Sequence, residues 1–139
     1  MEATLKKMDL AFCGSGKHKI SVEKFLQSEN AIFLDVRSKE EVETLKFNFD
    51  LFNIEVVHIP IEELPDRYTE LSKDKLIGAF CSSGTRSAWA YIYLLSKGYE
   101  KSKWIAGGNE DFAAALKPGA IHKQTHLFNK STIKNISYS

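Results

Sequence analysis

Short apolar runs alternate with polar, helix-forming segments along most of this chain, and this order constrains the fold more than any other feature. A buried strand of a parallel sheet reads as a continuous apolar run, and AIFLDV at residues 31–36 has that character. Strand–helix alternation favours parallel strands joined by right-handed crossovers, with helices on both faces of one sheet. We therefore predict an α/β fold with a parallel sheet of about five strands. The strands are expected at 18–20, 31–36, 55–59, 75–80 and 103–108.

The segments between the predicted strands carry helix signals. Ser38 followed three residues later by Glu41 is a capping box, which predicts that a helix starts here. Pro65 lies inside the otherwise helical segment 61–72 and is expected to limit or break that helix. A further helix is expected to begin near Ser87. Its apolar stripe predicts the buried face and comprises Trp89, Ile92, Tyr93 and Leu95.

The length and charge of the chain limit the possible function classes. Its 139 residues fit a single domain, and a formal net charge of +1 gives no global attraction to nucleic acid or to an anionic membrane. No apolar run reaches the length that crosses a bilayer. The first residues lack the apolar stretch and cleavage site of a signal peptide, so we expect a cytoplasmic protein whose two cysteines are free thiols. We divide the chain into an N-terminal extension (1–17), one folded domain (18–118) and a C-terminal tail (119–139).

The decapeptide FCSSGTRSAW, residues 80–89, is the most informative short motif. Cys81 ends a predicted strand, and small residues lead from it into a helix. Backbone N–H groups at a helix N-terminus lack partners within the helix, and the helix dipole adds positive potential there. Gly84 is free to adopt a positive φ that turns successive N–H groups inward. The motif predicts an anion-binding loop around a Cys81 thiolate of lowered pKa, with Arg86 as a cation for an anionic substrate.

Four segments together resemble the successive landmarks of a rhodanese-like domain. They are FLDVRSKEE, VVHIPIEEL, CSSGTRSAWAYIYLLSKGY and WIAGG, and the resemblance covers roughly residues 18–116. It implies the three-layer α/β/α rhodanese fold and a sulfurtransferase activity that needs no metal and no organic cofactor. In that activity the cysteine takes a sulfane sulfur from a donor such as thiosulfate, becomes a persulfide, and passes the sulfur to a nucleophilic acceptor.

The resemblance also assigns roles to the residues of the loop. Cys81 would be the sulfur carrier, the backbone amides from Ser82 to Arg86 would stabilise the anionic persulfide, and Arg86 would help to bind the donor. The expected partner is a small sulfur-donor anion, or a protein that donates or accepts a persulfide sulfur. The sequence predicts no particular oligomeric state. The substrate-binding residues expected on this basis are Ser82, Ser83, Gly84, Thr85 and Arg86.

Three other functions stay open at this point. Cys-dependent phosphatases and arsenate reductases have a similar loop, but they place one residue more between cysteine and arginine and usually carry a histidine where Phe80 stands. The shorter loop makes a smaller cradle, which suits one sulfur better than a phosphoryl group and makes this alternative the weaker one. A second possibility is a non-catalytic interaction module on the same fold. A third is a sulfur relay between proteins, for which thiosulfate is only a convenient surrogate donor.

Two stretches depart from the family pattern. An aromatic segment replaces the usual loop before the third strand, and we expect it to reshape the rim of the site or to form a partner surface. Phe112 stands where the family usually has a tryptophan, in a last helix expected to be capped by Asn109, and this change affects packing and not chemistry. The aromatic residues of the inserted segment are Phe47, Phe49 and Phe52.

Other reactive side chains receive structural interpretations. Asp35 and Arg37 are predicted to form an ion pair that holds neighbouring loops. Cys13 is interpreted as an incidental thiol of the extension, and the alternative is a resolving thiol that attacks a Cys81 persulfide. The histidines lack the spacing of a metal site, and we predict none at His58, His122 and His126.

Overall fold

The computed structural model of the chain describes residues 1–116, so the predicted tail at 119–139, with His122 and His126, lies outside the described residues. All five strands pair in parallel in one sheet, and helices cover it, which confirms the predicted fold class. In chain order the elements are α1 (Glu2–Lys6), α2 (Leu10–Ser15), β1 (Lys19–Ser21), α3 (Val22–Leu26), β2 (Ala31–Asp35), α4 (Lys39–Thr44), β3 (Ile54–His58), a 3₁₀ turn (Ile61–Glu63), α5 (Leu64–Arg67), a 3₁₀ turn (Tyr68–Glu70), β4 (Ile77–Phe80), α6 (Thr85–Ser96), β5 (Ser102–Ala106) and α7 (Asn109–Ala115).

The strand order β1-β5-β4-β2-β3 places β4 in the middle of the sheet. β4 pairs with β2 on one side and with β5 on the other, and Phe80 at its end lies opposite Asp35 of β2. Ligands of open parallel sheets bind beyond the carboxyl ends of the strands. The residue that follows Phe80 is Cys81, so the cysteine leaves the sheet at the centre of that edge.

Side chains of successive strand residues fill two separate cores on opposite faces of the sheet. Ile32 and Leu34 of β2 belong to the core under α6, whereas Ala31 and Phe33 belong to an aromatic core on the other face. All four are buried, as expected for a strand covered on both faces. The continuous apolar run of β2 in the sequence therefore reflects two cores and not one.

The aromatic segment at 47–52 is part of the second core, so the buried rings of Phe49 and Phe52 do not form an exposed partner surface. Phe49 and Phe52 are buried there, and Phe47 is half-buried against the same cluster. The rings of Phe47 and Phe49 lie 5.4 and 5.9 Å from the ring of Phe112. On this face the aromatic segment packs in one cluster with residues of the short helices α3 and α7. Phe112 packs as predicted and is fully buried among the rings of Phe33, Phe47, Phe49 and Phe80.

The buried face of α6 differs from the predicted stripe. Trp89 is 58% exposed, and Tyr91, which the prediction omitted, is buried. The helix begins at Thr85, two residues earlier than expected, and its contact with the sheet follows the helical spacing from Ser87. Ile92, Tyr93 and Leu95 are only half-buried. The face in contact with the sheet consists of Ser87, Ala90, Tyr91 and Leu94.

The predicted helix signals are located correctly, with small differences at the ends. The capping box is present, because the Glu41 N–H donates to Ser38 Oγ and the Ser38 N–H donates to the Glu41 carboxylate. Pro65 lies in the first turn of α5, where it is tolerated, and the segment 61–72 is divided into short turns. Gly108, and not Asn109, is the N-cap residue of α7. Among the helices within residues 1–116, none is long and apolar enough to cross a membrane.

Candidate active site

The candidate site is the turn from β4 into α6. Cys81 follows the last residue of β4, and Gly84 is the N-cap of α6 with a φ of +93°. That φ is unfavourable for any residue with a Cβ atom, so glycine suits this turn. The turn directs backbone N–H groups at the start of α6 toward the cysteine.

Hydrogen-bond donors converge on the sulfur of Cys81. The Gly84 N–H donates to Sγ at 3.0 Å, the Ser87 N–H lies 3.4 Å from Sγ, and the Ser87 Oγ lies 3.5 Å away. Burial raises the pKa of the Cys81 thiol, but hydrogen bonds from the Ser87 hydroxyl and from the backbone of Ser87, Ser83 and Gly84 outweigh it, and the pKa is lowered. The site therefore favours a thiolate.

The set of donors differs from the predicted one. Ser87, outside the predicted range of 82–86, donates its N–H to Sγ, and its hydroxyl oxygen accepts from the Cys81 thiol. Ser83 and Thr85 have exposed side chains, and Ser82 directs its hydroxyl to Glu41. The side chain of Cys81 has no exposed surface. A donor therefore reaches Sγ only when the surrounding groups move apart.

Arg86 does not stand free above the loop. Its Nη1 and Nη2 donate to the two carboxylate oxygens of Glu41, at 2.6 and 2.8 Å, and Nη2 also lies 3.2 Å from Ser82 Oγ. The Arg86 guanidinium holds the pKa of the Glu41 carboxyl well below its usual range, and the carboxylate raises the pKa of Arg86. The cation predicted to bind a donor is thus paired with a carboxylate on α4.

Asp35 and Arg37 form the predicted ion pair, and it is buried. Arg37 Nη2 lies 2.8 Å from Asp35 Oδ2, with side chains 1% and 4% exposed. The Arg37 guanidinium also lies 5.2 Å from the ring centroid of Phe47 and 5.4 Å from that of Phe80. His58 hydrogen-bonds to the backbone carbonyl of Arg37 at 2.7 Å. These contacts fix the end of β2 beside the cysteine loop.

The end of β5 closes the other side of the loop. A Cβ atom on Gly108 would lie 2.7 Å from the carbonyl oxygen of Ser82, so only glycine permits this approach. On β5 itself, the Trp104 Nε1–H donates to Ser87 Oγ at 3.1 Å. The loop is therefore held between the ends of β2 and β5, on the two sides of β4.

Sequence analysis missed three residues of this arrangement. Glu41 was interpreted only as a helix cap, although it also pairs with Arg86. Ser87 directly follows Arg86 at the start of a helix, and that position was a usable signal. Nothing in the local sequence of Trp104 indicates its contact with Ser87, because 17 residues separate the two.

The two cysteines and the candidate metal ligands are the remaining reactive groups of the described residues. Cys13 is exposed and Cys81 is buried, and both are free thiols, as expected. Within residues 1–116 no group of three or more His, Cys, Asp or Glu side chains is placed to hold a metal ion.

A parallel α/β domain with a hydrogen-bonded cysteine at a central strand-to-helix turn defines the class of this protein. The sequence profile of the rhodanese-like domain matches residues 19–115, and the chain belongs to that family. A tRNA sulfurtransferase of Psychromonas ingrahamii is 29% identical over 99 residues, which are 69% of this chain and 20% of that protein. The chain thus spans about a fifth of the length of this curated relative.

The chain is also similar to solved structures of other proteins. A NAD-dependent persulfide reductase from A. fulgidus is 34% identical, with a TM-score of 0.55, over 73% of this chain and 18% of that one. A rhodanese-related protein from Thermoplasma volcanium is 26% identical, with a TM-score of 0.58, over 73% of this chain and 95% of that one. Together with the family membership, these similarities support sulfur transfer in general as the function.

Proposed function

We propose that this chain is a sulfurtransferase that carries a sulfane sulfur on Cys81 as a persulfide. The observation that supports this most is the convergence of two backbone donors on Sγ, the Gly84 N–H at 3.0 Å and the Ser87 N–H at 3.4 Å, with Ser87 Oγ 3.5 Å away. Such donors favour the anionic form of sulfur, and the reaction needs that form both before and after sulfur is taken up.

The proposed transfer consists of two displacements at sulfur. The Cys81 thiolate attacks the outer sulfur of thiosulfate, a new S–S bond forms, the S–S bond of thiosulfate breaks, and sulfite leaves with the bonding electron pair. An acceptor such as cyanide or another thiolate then attacks the terminal sulfur, and the Cys81 thiolate leaves. Because both steps exchange one nucleophile for another at sulfur, no external oxidant or reductant is required.

Arg86 is proposed to bind the anionic donor, in competition with Glu41. A guanidinium presents several donors in one plane, so it can share its bonds between a carboxylate and an incoming anion. On this proposal Arg86→Ala weakens the use of thiosulfate more than it weakens alkylation of Cys81 by a neutral reagent. An equal loss of both would contradict donor binding by Arg86.

The experiment that tests the proposal is an intact mass measurement after incubation with thiosulfate. A gain of one sulfur, about 32 Da, is expected, and cyanide should reverse it. The gain should vanish in Cys81→Ser and persist in Cys13→Ser, which is the matched control because Cys13 is the other free thiol and is exposed.

The alternatives predict other outcomes of the same experiment. Turnover of an aryl phosphate without a sulfur adduct would support a Cys-dependent phosphatase. The absence of both activities would support a non-catalytic interaction module. The complete burial of Cys81 favours this hypothesis. A sulfur adduct from a protein persulfide, with none from thiosulfate, would support a relay between proteins.

The proposed partners are a small sulfur-donor anion or a protein persulfide. The matched tRNA sulfurtransferase and NAD-dependent persulfide reductase are much longer chains, in which the matched part is about a fifth of the whole. We propose that sulfur passes between this domain and another protein or domain. The reaction requires a reduced Cys81, and a cytoplasmic location would keep it so.

A further inference from the structure

Trp104 of β5 lies against the cysteine loop and makes a hydrogen bond that has no role in the two displacement steps proposed above. Its Nε1–H donates to Ser87 Oγ at 3.1 Å, and a Cβ atom on Gly84 would lie 3.6 Å from its Cζ2. The indole is held from outside by His18, whose ring is stacked on it at 6.0 Å between centroids, and by the Lys19 ammonium at 5.0 Å from its centroid. The orientation of the indole N–H is therefore well defined.

The hydrogen-bond inventory of Ser87 gives this contact a direction. A serine hydroxyl has one proton to donate and two lone pairs that accept, whereas an indole N–H only donates. Trp104 must therefore occupy a lone pair of Ser87 Oγ. The hydroxyl proton has two remaining partners within reach, namely the Gly84 carbonyl oxygen at 2.9 Å and Cys81 Sγ at 3.5 Å.

The Gly84 carbonyl oxygen can lose the hydrogen bond from the Ser87 hydroxyl and still keep another hydrogen bond. It also accepts the Ala88 N–H at 3.1 Å, in the first turn of α6. When the hydroxyl turns toward sulfur, the carbonyl keeps this bond, so no buried acceptor is left unpaired. The Ser87 hydroxyl can therefore rotate its O–H from the Gly84 carbonyl oxygen toward Cys81 Sγ at low energetic cost.

We propose that Trp104 is a positioning residue, whose indole N–H fixes the Ser87 oxygen as an acceptor and leaves the hydroxyl proton free for the sulfur of Cys81. In the resting thiol the Ser87 hydroxyl donates its hydrogen bond to the Gly84 carbonyl oxygen, and in the thiolate or persulfide anion it donates to sulfur. The inference rests on the proposed function, since persulfide chemistry is what places negative charge on the sulfur.

The test measures the pKa of Cys81 from the ultraviolet absorbance of its thiolate, in a Cys13→Ser background. Trp104→Phe removes the N–H and keeps an aromatic ring, and it is expected to raise the Cys81 pKa by about half a unit to one unit. Ser87→Ala should raise it at least as much. In the Ser87→Ala background Trp104→Phe should add no further shift, because the indole acts only through the hydroxyl. Trp89→Phe, at the exposed tryptophan, is the matched control and should leave the pKa unchanged.

An unchanged Cys81 pKa in Trp104→Phe would overturn the inference. It would also be overturned if Trp104→Phe shifted the Cys81 pKa equally with and without Ser87→Ala, because that result would indicate a general packing effect. A measurement without substitution of Trp104 covers the case in which that variant does not fold. In the Cys13→Ser protein the Trp104 indole proton resonance should titrate with the same midpoint as the Cys81 thiolate, and a signal independent of pH would contradict the proposal.

These experiments contain no sulfur donor, so they separate the inference from the proposed function. A protein that takes no sulfur from thiosulfate but has the expected Trp104 dependence would retain the positioning role and lose the proposed function. The reverse result would retain the function and lose the role of Trp104.

Discussion

Replacing Glu41 by glutamine tests the arrangement of charges at the rim of the site. The Glu41 carboxylate accepts two hydrogen bonds from Arg86, at 2.6 and 2.8 Å, one from the Ser82 hydroxyl at 2.8 Å and one from the Ser38 N–H at 3.1 Å. Glutamine has the same length but only one acceptor oxygen and no charge. With its oxygen in place of Oε1, glutamine can still accept from the Ser38 N–H and from Arg86 Nη1. Its NH₂ group would then replace Oε2, which accepts from Arg86 Nη2 and from the Ser82 hydroxyl, so those two hydrogen bonds are lost.

The expected loss of stability is about 1 kcal/mol. The side chains of Arg86 and Glu41 are 26% and 33% exposed, so solvent screens the pair, and its bidentate geometry places it at the upper end of the range for exposed ion pairs. For a chain of this length about 1 kcal/mol corresponds to a decrease of roughly 4 °C in the melting temperature. Glu43→Gln, on the exposed face of the same helix, is the matched control and should be nearly neutral.

The difference in stability should depend on pH in a defined direction. The pKa of Glu41 is lowered in the folded protein from its ordinary value of 4.5, so the ionised group stabilises the fold fully above that pH. This contribution is lost as the pH falls below 4.5 and through the lower folded-state pKa. Urea unfolding of both proteins should therefore give a constant difference at neutral pH that shrinks in acid. A difference that grows in acid would contradict the assigned pairing.

The same substitution should improve the binding of an anionic donor. Glu41 competes with the donor for Arg86, and the removal of about 1 kcal/mol of competition corresponds to a KM for thiosulfate that is about fivefold lower. Added salt should reduce this effect, because it screens exposed charges. Steady-state sulfur transfer to cyanide measures it. A KM that is unchanged or higher in Glu41→Gln would refute the role of Arg86 in donor binding, even if the stability effect is found.

Three further predictions concern the fold around the site, and urea unfolding measures each. Phe112→Ala should cost about 3–5 kcal/mol because the ring is fully buried among four others, and a loss below about 1 kcal/mol would contradict this packing. Arg37→Ala should cost about 3–5 kcal/mol, since it leaves Asp35 buried without its partner; a loss typical of a surface residue would contradict the buried pair. Gly84→Ala should cost about 1–2 kcal/mol because its φ is +93°, and a neutral result would mean that the turn adopts another conformation.

The strands and the cysteine loop could be predicted because their signals are local. The apolar run at 31–36 contains β2, and the pair Ser38 and Glu41 marks the start of α4, within one residue of the predicted point. The turn after Cys81 was recognisable because a glycine and small residues stand between a strand and a helix. Each of these signals depends on neighbours in sequence, which a single chain provides.

The packing of the aromatic residues could not be predicted in the same way. Phe49 and Phe52 are buried, although their segment was expected at the rim or surface, and Trp89 is exposed, although it was expected on the buried stripe of its helix. The burial of Phe49 and Phe52 depends on how the helices on their face of the sheet pack beside them. That packing follows from the lengths and positions of α3 and α7, which the sequence pattern places only approximately.

The partners of the site residues were also beyond sequence reasoning. Arg86 and Glu41 are 45 positions apart, and Ser87 and Trp104 are 17 apart. Each pair forms only because parallel strands bring their carboxyl ends to one edge of the sheet. The prediction of Arg86 as a free cation failed to include Glu41 for this reason, whereas the ion pair of Asp35 and Arg37, two residues apart, was predicted correctly.

The central position of β4 has a consequence for how the protein opens. The outer strands β1 and β3 each have one neighbour, so fluctuations that detach an edge begin there and leave the pairing of β4 with β2 and β5 in place. Opening of the β4 backbone requires both inner pairings to separate, which approaches global unfolding. In hydrogen exchange, the amides of β4 should therefore be among the last to exchange, long after those of β1 have done so.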